Sequence, residues 1–233
     1  ANLRKPDAGF SAAALAAVLF DDLRLPPDVH LKVAYSGGLD SHVLLQALAV
    51  LRANYRFSLS AIHIDHGLQP VSAEWGRHCA HVCTALDIPL AVERIRVEGV
   101  ADEGLEAAAR RARYAALAAA LAPGDILLTA HHCDDQAETV LLQLLRGTGI
   151  AGLAAMPAQT DFGPGRIVRP LLGFSRTALQ AYAREHRLAW IEDPSNQELH
   201  LRRSFLRTEV LPRLARHWPA HASLLARTAR HAA

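Results

Sequence analysis

The sequence predicts an α/β protein, a doubly wound, mainly parallel sheet with helices on both faces and a small helical extension at its C-terminal end. Three observations carry this reading. Short apolar runs of strand character alternate with longer segments of helical periodicity, glycine and proline mark the joins, and the unusual polar residues fall where strands end.

Leu31 to Ala34 reads as the first strand, and Ser41 to Leu51 as a helix with apolar positions three and four apart. Leu59 to Ile64 is a second strand, and Ala73 to Leu86 a second helix. Pro89 opens a third strand through Val92 and Ile95. The Ala-rich stretch Leu105 to Leu121 is a helix stopped by Pro123-Gly124, and the strand Asp125 to Ala130 follows at once. Asp134 to Arg146 is a helix closed by Gly147 and Gly149. Strands joined through helices of this length require right-handed crossovers, so the strands run parallel and ligands collect at their carboxyl ends. Beyond Gly149, Pro157 and Gly163-Pro164-Gly165 mark a turn-rich connection to Ile167-Val168, and from Ser175 the chain is mostly helical and basic. A division is expected between residues 1–205, the α/β unit, and residues 206–233, a short helical extension that begins a second unit.

With 51% apolar and 21% charged residues, the 233-residue chain has a globular composition, neither collagen-like nor disordered. No apolar run reaches the ~18 residues of a membrane span. Ala12 to Phe20 lies behind Arg4 and Lys5 like a signal peptide, but Asp21-Asp22 stands where a cleavage site belongs, so we read it as a surface helix. Cys79, Cys83 and Cys133 form neither a disulfide framework nor a CxxC pair, which suits a reducing cytoplasm. Net charge is only +2, yet residues 1–159 carry −4 and the remainder +6. The basic part fits an anionic partner such as nucleic acid, although a solvated helix face has the same composition.

Directly after the first strand come Ser36-Gly37-Gly38-Leu39-Asp40-Ser41, and then a helix. A strand, a glycine loop and a helix N-terminus aim free backbone N–H groups and a positive dipole end at one point, a site for phosphate. Ser36 and Ser41 would add hydroxyl donors. Asp40 repels phosphate unless a cation intervenes, which makes it a candidate Mg²⁺ ligand. The loop has neither the Lys of a GxxxxGK[ST] loop nor the GxGxxG pattern, so the usual NTPases and dehydrogenases are not indicated. SGGxDS in this position resembles the pyrophosphate-loop ATP pyrophosphatases, which cleave ATP between the α and β phosphates. Their adenine nucleotide alpha hydrolase-like, Rossmann-like architecture is the one the element order predicts.

Further motifs resemble the tRNA(Ile)-lysidine synthases within that group. His63-Ile64-Asp65-His66-Gly67-Leu68 ends the second strand, and the resemblance implies that His63, Asp65 and His66 wall the adenosine pocket. Glu106, Arg110 and Arg113 share one helix face, as in the family's ExxARxxRY pattern. The resemblance puts Arg110 or Arg113 at the reacting phosphates, and the bland alternative is an exposed ion pair worth about 0.3–0.5 kcal/mol. The densest polar cluster runs from Ala130-His131-His132-Cys133-Asp134-Asp135 through Gln136-Ala137-Glu138-Thr139. Asp135 and Glu138, three apart at a helix start, could hold Mg²⁺, bind an ammonium or take a proton from an attacking amine. Asp134 suits an N-cap. The resemblance assigns His131, His132, Asp135 and Glu138 to lysine or cytidine. Arg169-Pro170-Leu171-Leu172 and Trp190 to Asn196 also match, whereas Arg203-Ser204 stands where the family shows Arg-Asn.

The resemblance implies that ATP and Mg²⁺ serve to join L-lysine to the wobble cytidine of an isoleucine tRNA with a CAU anticodon, releasing AMP and pyrophosphate. Members often continue into C-terminal domains that grip tRNA, so full tRNA affinity is expected to need more than this stretch. A tRNA thiolase would share the adenylation step but needs a reactive sulfur, for which Cys133 is the candidate. A nucleotide-binding module without catalysis is the other alternative, and Asp40, Asp135 and Glu138 argue against it. The oligomeric state is left open, a homodimer included.

Overall fold

A computed structural model describes residues 9–65, 67, 72–192 and 202–233. The helix α1 (Ala12–Ala16) runs on as a wider π-type segment, Ala17–Asp22, and leads into β1 (Val29–Ala34). α2 (Leu39–Leu51), β2 (Phe57–Asp65), α3 (Ser72–Ala85) and β3 (Leu90–Arg94) follow. Then come α4 (Val100–Glu103), α5 (Leu105–Ala119), β4 (Ile126–Leu128), α6 (Cys133–Leu145) and α7 (Ile150–Leu153). The chain continues through β5 (Gln159–Phe162), β6 (Gly165–Val168) and α8 (Arg176–Glu185). It closes with α9 (Arg202–Phe205), a π-type segment Leu206–Val210, α10 (Leu211–His217) and α11 (His221–Ala232).

The sheet order is β3-β2-β1-β4-β6-β5, all parallel except the β5–β6 hairpin. That hairpin occupies the connection read as turn-rich, and its edge strand Gln-Thr-Asp-Phe is too polar and short to signal itself. Strand alternation divides the apolar residues between two layers. Leu31, Val33, Leu59, Ala61, Ile126 and Val168 face the larger core, built with α1, α2, α3 and α8. Ile62, Leu127 and Ile167 face the smaller one, closed by Leu117 and Leu121 at the end of α5.

The N-terminal helix corrects one expectation. Leu15 and Leu19 are fully buried and belong to the larger core, so the segment read as a surface helix is half interior. Its stripe of alanines hid the apolar face that Leu15, Val18 and Leu19 form at helical spacing. At the other end of the chain, α11 packs on α6 and α7. Among the described residues no helix is long and apolar enough to cross a membrane.

Candidate active site

Parallel β1, β2, β4 and β6 end along one edge of the sheet, and the polar residues singled out in the sequence lie there. The turn from β1 into α2 is braced from within. Ser41 Oγ donates to Gly38 O at 3.0 Å and lies 3.1 Å from Ser36 Oγ, while the Gly38 N–H donates to Ser36 Oγ at 3.3 Å. Ser41 is buried, so its hydroxyl holds the loop's shape. Gly37 has φ +82°, and a Cβ there would stand 2.6 Å from Ile191 Cδ1 and 3.0 Å from Cys79 Sγ. Only glycine fits that combination of dihedral and space. Gly38 is the N-cap of α2 and supplies no side-chain cap, so the first N–H groups of α2 remain open toward the loop. Leu39 is buried and anchors this turn in the larger core. Ile191 N–H donates to Gly37 O at 2.9 Å, which makes the stretch after α8 the loop's cover. Of the Trp190 to Asn196 motif, residues 193–196 lie outside the described residues.

Asp40 begins α2 and turns its carboxylate toward β4's end. One oxygen, Oδ1, is buried without a partner, and Oδ2 lies 3.6 Å from His132 Nε2. His132 is nearly fully buried and also lies 3.4 Å from Asp135 Oδ2 and 3.6 Å from Asp134 Oδ2. Burial alone would depress its pKa, but Asp135, Asp40 and Asp134 raise it to about 9. The surrounding carboxylates favour the protonated ring, and as N-cap of α6 it stands with Nδ1 3.4 Å from the Asp135 N–H. Its carboxylate neighbours hold it, and the His132 N–H donates to Asp135 Oδ2 at 3.0 Å. Asp134, expected to cap this helix, instead accepts from Arg176 N–H at 2.8 Å at the start of α8, whose N-cap is Ser175.

Asp135 and Glu138 are together, as their spacing required, and a cation already joins them. Arg207 Nε and Nη2 donate to the two Glu138 oxygens at 2.7 and 3.0 Å, and Nη2 to Asp135 Oδ1 at 3.3 Å. Glu138 is buried. Burial pushes its carboxyl upward against the pull of that guanidinium, and the bidentate geometry decides for the ion pair. For Asp135 burial works the same way but loses, and His132, the His132 N–H and Arg207 hold its pKa low. Arg203 Nη2 donates to Thr139 Oγ1 at 3.0 Å one turn away. The sequence reading missed Arg207 and noted Arg203 only as part of the Arg203-Ser204 pair. Their only signal is the four-residue spacing that puts both on the helix face toward α6.

His131 lies on the α5 side with Nδ1 2.9 Å from Thr129 Oγ1. Burial lowers its pKa to about 3 over the opposing charge of Asp135, and Arg169, Arg110 and Arg113 push the same way. The two adjacent histidines are thus pushed in opposite directions. Arg110 and Arg113 both flank the ring of Tyr114, with Cζ 4.7 and 5.7 Å from its centroid. The side chain of Glu106 lies outside the described residues.

At the end of β2, His63 is buried and its Nδ1 stands 3.0 Å from Tyr35 O and 3.5 Å from Cys79 Sγ. Asp65 Oδ1 accepts from Gly67 N–H at 2.9 Å, the main cause of its lowered pKa, and Arg94 stands 3.5 Å from Oδ2. Those bonds fix the turn that leaves β2. His66 lies outside the described residues.

The chain is similar to known proteins along most of its length. Over 200 residues the chain is 55% identical to the tRNA(Ile)-lysidine synthase of Pseudomonas aeruginosa, which spans 85% of this chain and 45% of that protein. It is 51% identical over 209 residues to the one from Methylococcus capsulatus, spanning 90% and 48% respectively. The chain thus covers about half the length of the curated relatives it matches. Among solved structures, the U34-tRNA thiolase NcsA from Methanococcus maripaludis with its [4Fe-4S] cluster superposes with a TM-score of 0.74 at 16% identity, over 94% of this chain and 77% of the other. NMN synthetase from Francisella tularensis gives 0.55 at 13%, over 91% and 93%. At such identities the likeness is one of fold. A family model described as the PP-loop domain matches residues 13–214, a span that holds both the loop at Ser36 to Ser41 and the carboxylates of α6: the chain is a member of the PP-loop domain family.

Proposed function

We propose that this chain is the PP-loop part of an ATP-dependent ligase that joins lysine to carbon 2 of the wobble cytidine in an isoleucine tRNA with a CAU anticodon. Half-identity to the tRNA(Ile)-lysidine synthases over most of the chain supports the substrates. The observation that carries the chemistry is the charge alternation at the sheet edge, an open helix N-terminus followed by Asp40, His132, Asp135 and Glu138.

In the first step the cytidine's carbon-2 oxygen attacks the α-phosphate of ATP, the bond to the β-phosphate breaks, and pyrophosphate leaves. The base carbonyl thereby gains AMP in place of a hopeless oxide leaving group. The N–H groups at the start of α2 receive the pyrophosphate, while His63 and Asp65, with His66 of the same motif, wall the adenosine side. Arg110 or Arg113 steadies the α-phosphate. Mg²⁺ fits Asp40, whose buried Oδ1 is an acceptor without a partner beside the phosphate loop, and the ion would supply charge neutralisation for the polyphosphate. In the second step the lysine ε-nitrogen bonds to carbon 2, a proton leaves that nitrogen, and AMP departs. An amine with an ordinary pKa of ~10.4 arrives as an ammonium, so it must be bound and deprotonated by carboxylate. Asp135 and Glu138 are the pair suited to it, and their hold on the Arg207 guanidinium supports their affinity for an organic cation. His131 and His132 border the same space for lysine or cytidine. Residues 1–205 carry this chemistry, and residues 206–233 begin the RNA-contacting part.

A sulfur-transfer alternative is less well supported. Cys79 and Cys83 are fully buried in the larger core, and burial pushes their thiols up to about 12 and about 11, far from the thiolate. Among the described residues no group of three or more His, Cys, Asp or Glu could hold a metal ion together.

The deciding experiment measures pyrophosphate release from ATP with and without an isoleucine tRNA bearing the wobble cytidine, and transfer of labelled lysine to that RNA. Release that requires the RNA, with lysine covalently on it, is the expected result. Release without lysine transfer would move the reading to another nucleophile.

A further inference from the structure

Asp135 and Glu138 offer four carboxylate oxygens, and each of the four already has a donor. Glu138 Oε1 and Oε2 accept from Arg207 Nε and Nη2 at 2.7 and 3.0 Å, and Asp135 Oδ1 accepts from the same Nη2 at 3.3 Å. Asp135 Oδ2 accepts from the His132 N–H at 3.0 Å. A lysine ammonium brings three donors of its own and finds every oxygen of the pair engaged. Entering beside Arg207, it would set two cations against each other on the same carboxylates. The guanidinium therefore stands where the reaction proposed above needs the substrate's ammonium. Its surroundings let it move. About a third of the Arg207 side chain is in solvent, whereas Glu138 is buried. Arg207 also lies in the π-type segment Leu206–Val210, a rare backbone form found mostly at functional sites. Drawing that wide turn back to an ordinary helix rotates the side chains at one end of it by about 100°. Beside the guanidinium opens a cavity of about 210 Å³, bordered by Glu138, His132, Leu211, Pro212 and Ala215. Its apolar wall suits the methylene stem of an arginine or of a lysine.

We propose that Arg207 is a displaceable occupant of the lysine site, and that lysine enters by exchanging its ammonium for the guanidinium. Exchange keeps a cation opposite Glu138 throughout, whereas withdrawal alone would strand a buried carboxylate. The occupant also sharpens selection. A neutral side chain cannot take the guanidinium's place, so an amino acid without a terminal cation meets a closed site. The inference deepens the function proposed above and rests on it for the identity of the entering cation.

Equilibrium dialysis with labelled lysine tests this on the wild-type chain and on Arg207→Ala, each with and without millimolar guanidinium chloride. Lysine affinity is expected to rise about tenfold in the variant, the gain from a site no longer occupied. Added guanidinium should cancel that gain and leave the wild type unchanged. Weaker lysine binding by the variant, restored by guanidinium, would overturn the proposal, because Arg207 would then be a support that readies Glu138 for lysine. Equal affinity of the two chains would overturn it too. Should Arg207→Ala fail to fold, Arg207→Gln keeps one donor to Glu138 without the charge and carries the same expectation at about threefold. If neither chain binds lysine, the melting temperature of the variant decides. A rise on adding guanidinium would support cation exchange at this pair and end the ligase reading instead, and no rise would overturn the exchange itself.

Discussion

Arg207 grips both carboxylate oxygens of Glu138, at 2.7 and 3.0 Å, and so ties the C-terminal helical stretch to the start of α6. Glu138 is 1% exposed while Arg207 keeps about a third of its side chain in solvent, 32%. Removing the arginine leaves a desolvated carboxyl that has lost both of its hydrogen-bond donors from Arg207. Arg207→Ala should destabilise the chain by about 2–4 kcal/mol, at or below the usual range for breaking a buried pair because Arg207 is partly wet. Urea denaturation of both chains measures it. Glu138→Gln should cost less than Arg207→Ala, since the amide still accepts from Nε and no buried charge is stranded.

His132 makes stability pH-dependent with a definite sign. Its pKa is raised from 6.5 to about 9 by Asp135, Asp40 and Asp134 against the effect of burial, so the folded chain binds the proton more tightly than the unfolded chain. The resulting stabilisation is complete below about pH 6.5 and disappears as pH rises through 9. In size it is on the order of 3 kcal/mol. The stability difference between wild type and His132→Gln, measured by denaturation from pH 6 to 10, should therefore shrink as pH rises. A difference that grows with pH would show that the ring is neutral.

The larger features of the fold were legible because each rests on a local rule. β1, α2, β2 and α6 lie where periodicity and glycine placed them, since apolar alternation and helix stops act over a few residues. The phosphate loop was legible because Gly37 at φ +82° and an uncapped α2 leave a distinct signature. Contacts between distant segments were not. No pattern near Glu138 names Arg207, sixty-nine residues on, and nothing near Gly37 names Ile191. Asp134 has the spacing of an N-cap for its own helix, and nothing local shows that its carboxylate accepts from Arg176 N–H at the start of α8. Leu15 and Leu19 were misjudged because the charges flanking their helix say nothing of what lies beneath it.

Gly37 is the position where the loop tolerates least. A side chain there must take φ +82°, which costs an L residue about 1–2 kcal/mol, and must also displace Ile191 and meet Cys79. Gly37→Ala should lower nucleotide affinity by an order of magnitude or more, because the backbone can no longer approach the phosphates, while the sheet beneath stays folded. Calorimetric titration with ATP, alongside circular dichroism, separates loss of the loop from loss of the fold. Unchanged ATP affinity would place the nucleotide elsewhere along the edge.

Cys133 separates the ligase from the sulfur transferase most cheaply. It is 1% exposed at the first turn of α6, next to His132, and its backbone N–H donates to Phe174 O at 2.9 Å. Cys133→Ala keeps that backbone bond and removes one sulfur, a small buried deletion costing about 1 kcal/mol. If an amine is the nucleophile, lysine transfer per folded molecule should stay within about twofold of wild type, since the deletion leaves Asp135 and Glu138 in place. If the thiol carries sulfur, turnover should vanish while pyrophosphate release persists, because adenylation precedes the nucleophile's attack. Measuring both products on one variant distinguishes the two, and a parallel loss of both would mean that Cys133 supports the geometry of His132 and Asp135, which denaturation of the same variant would reveal.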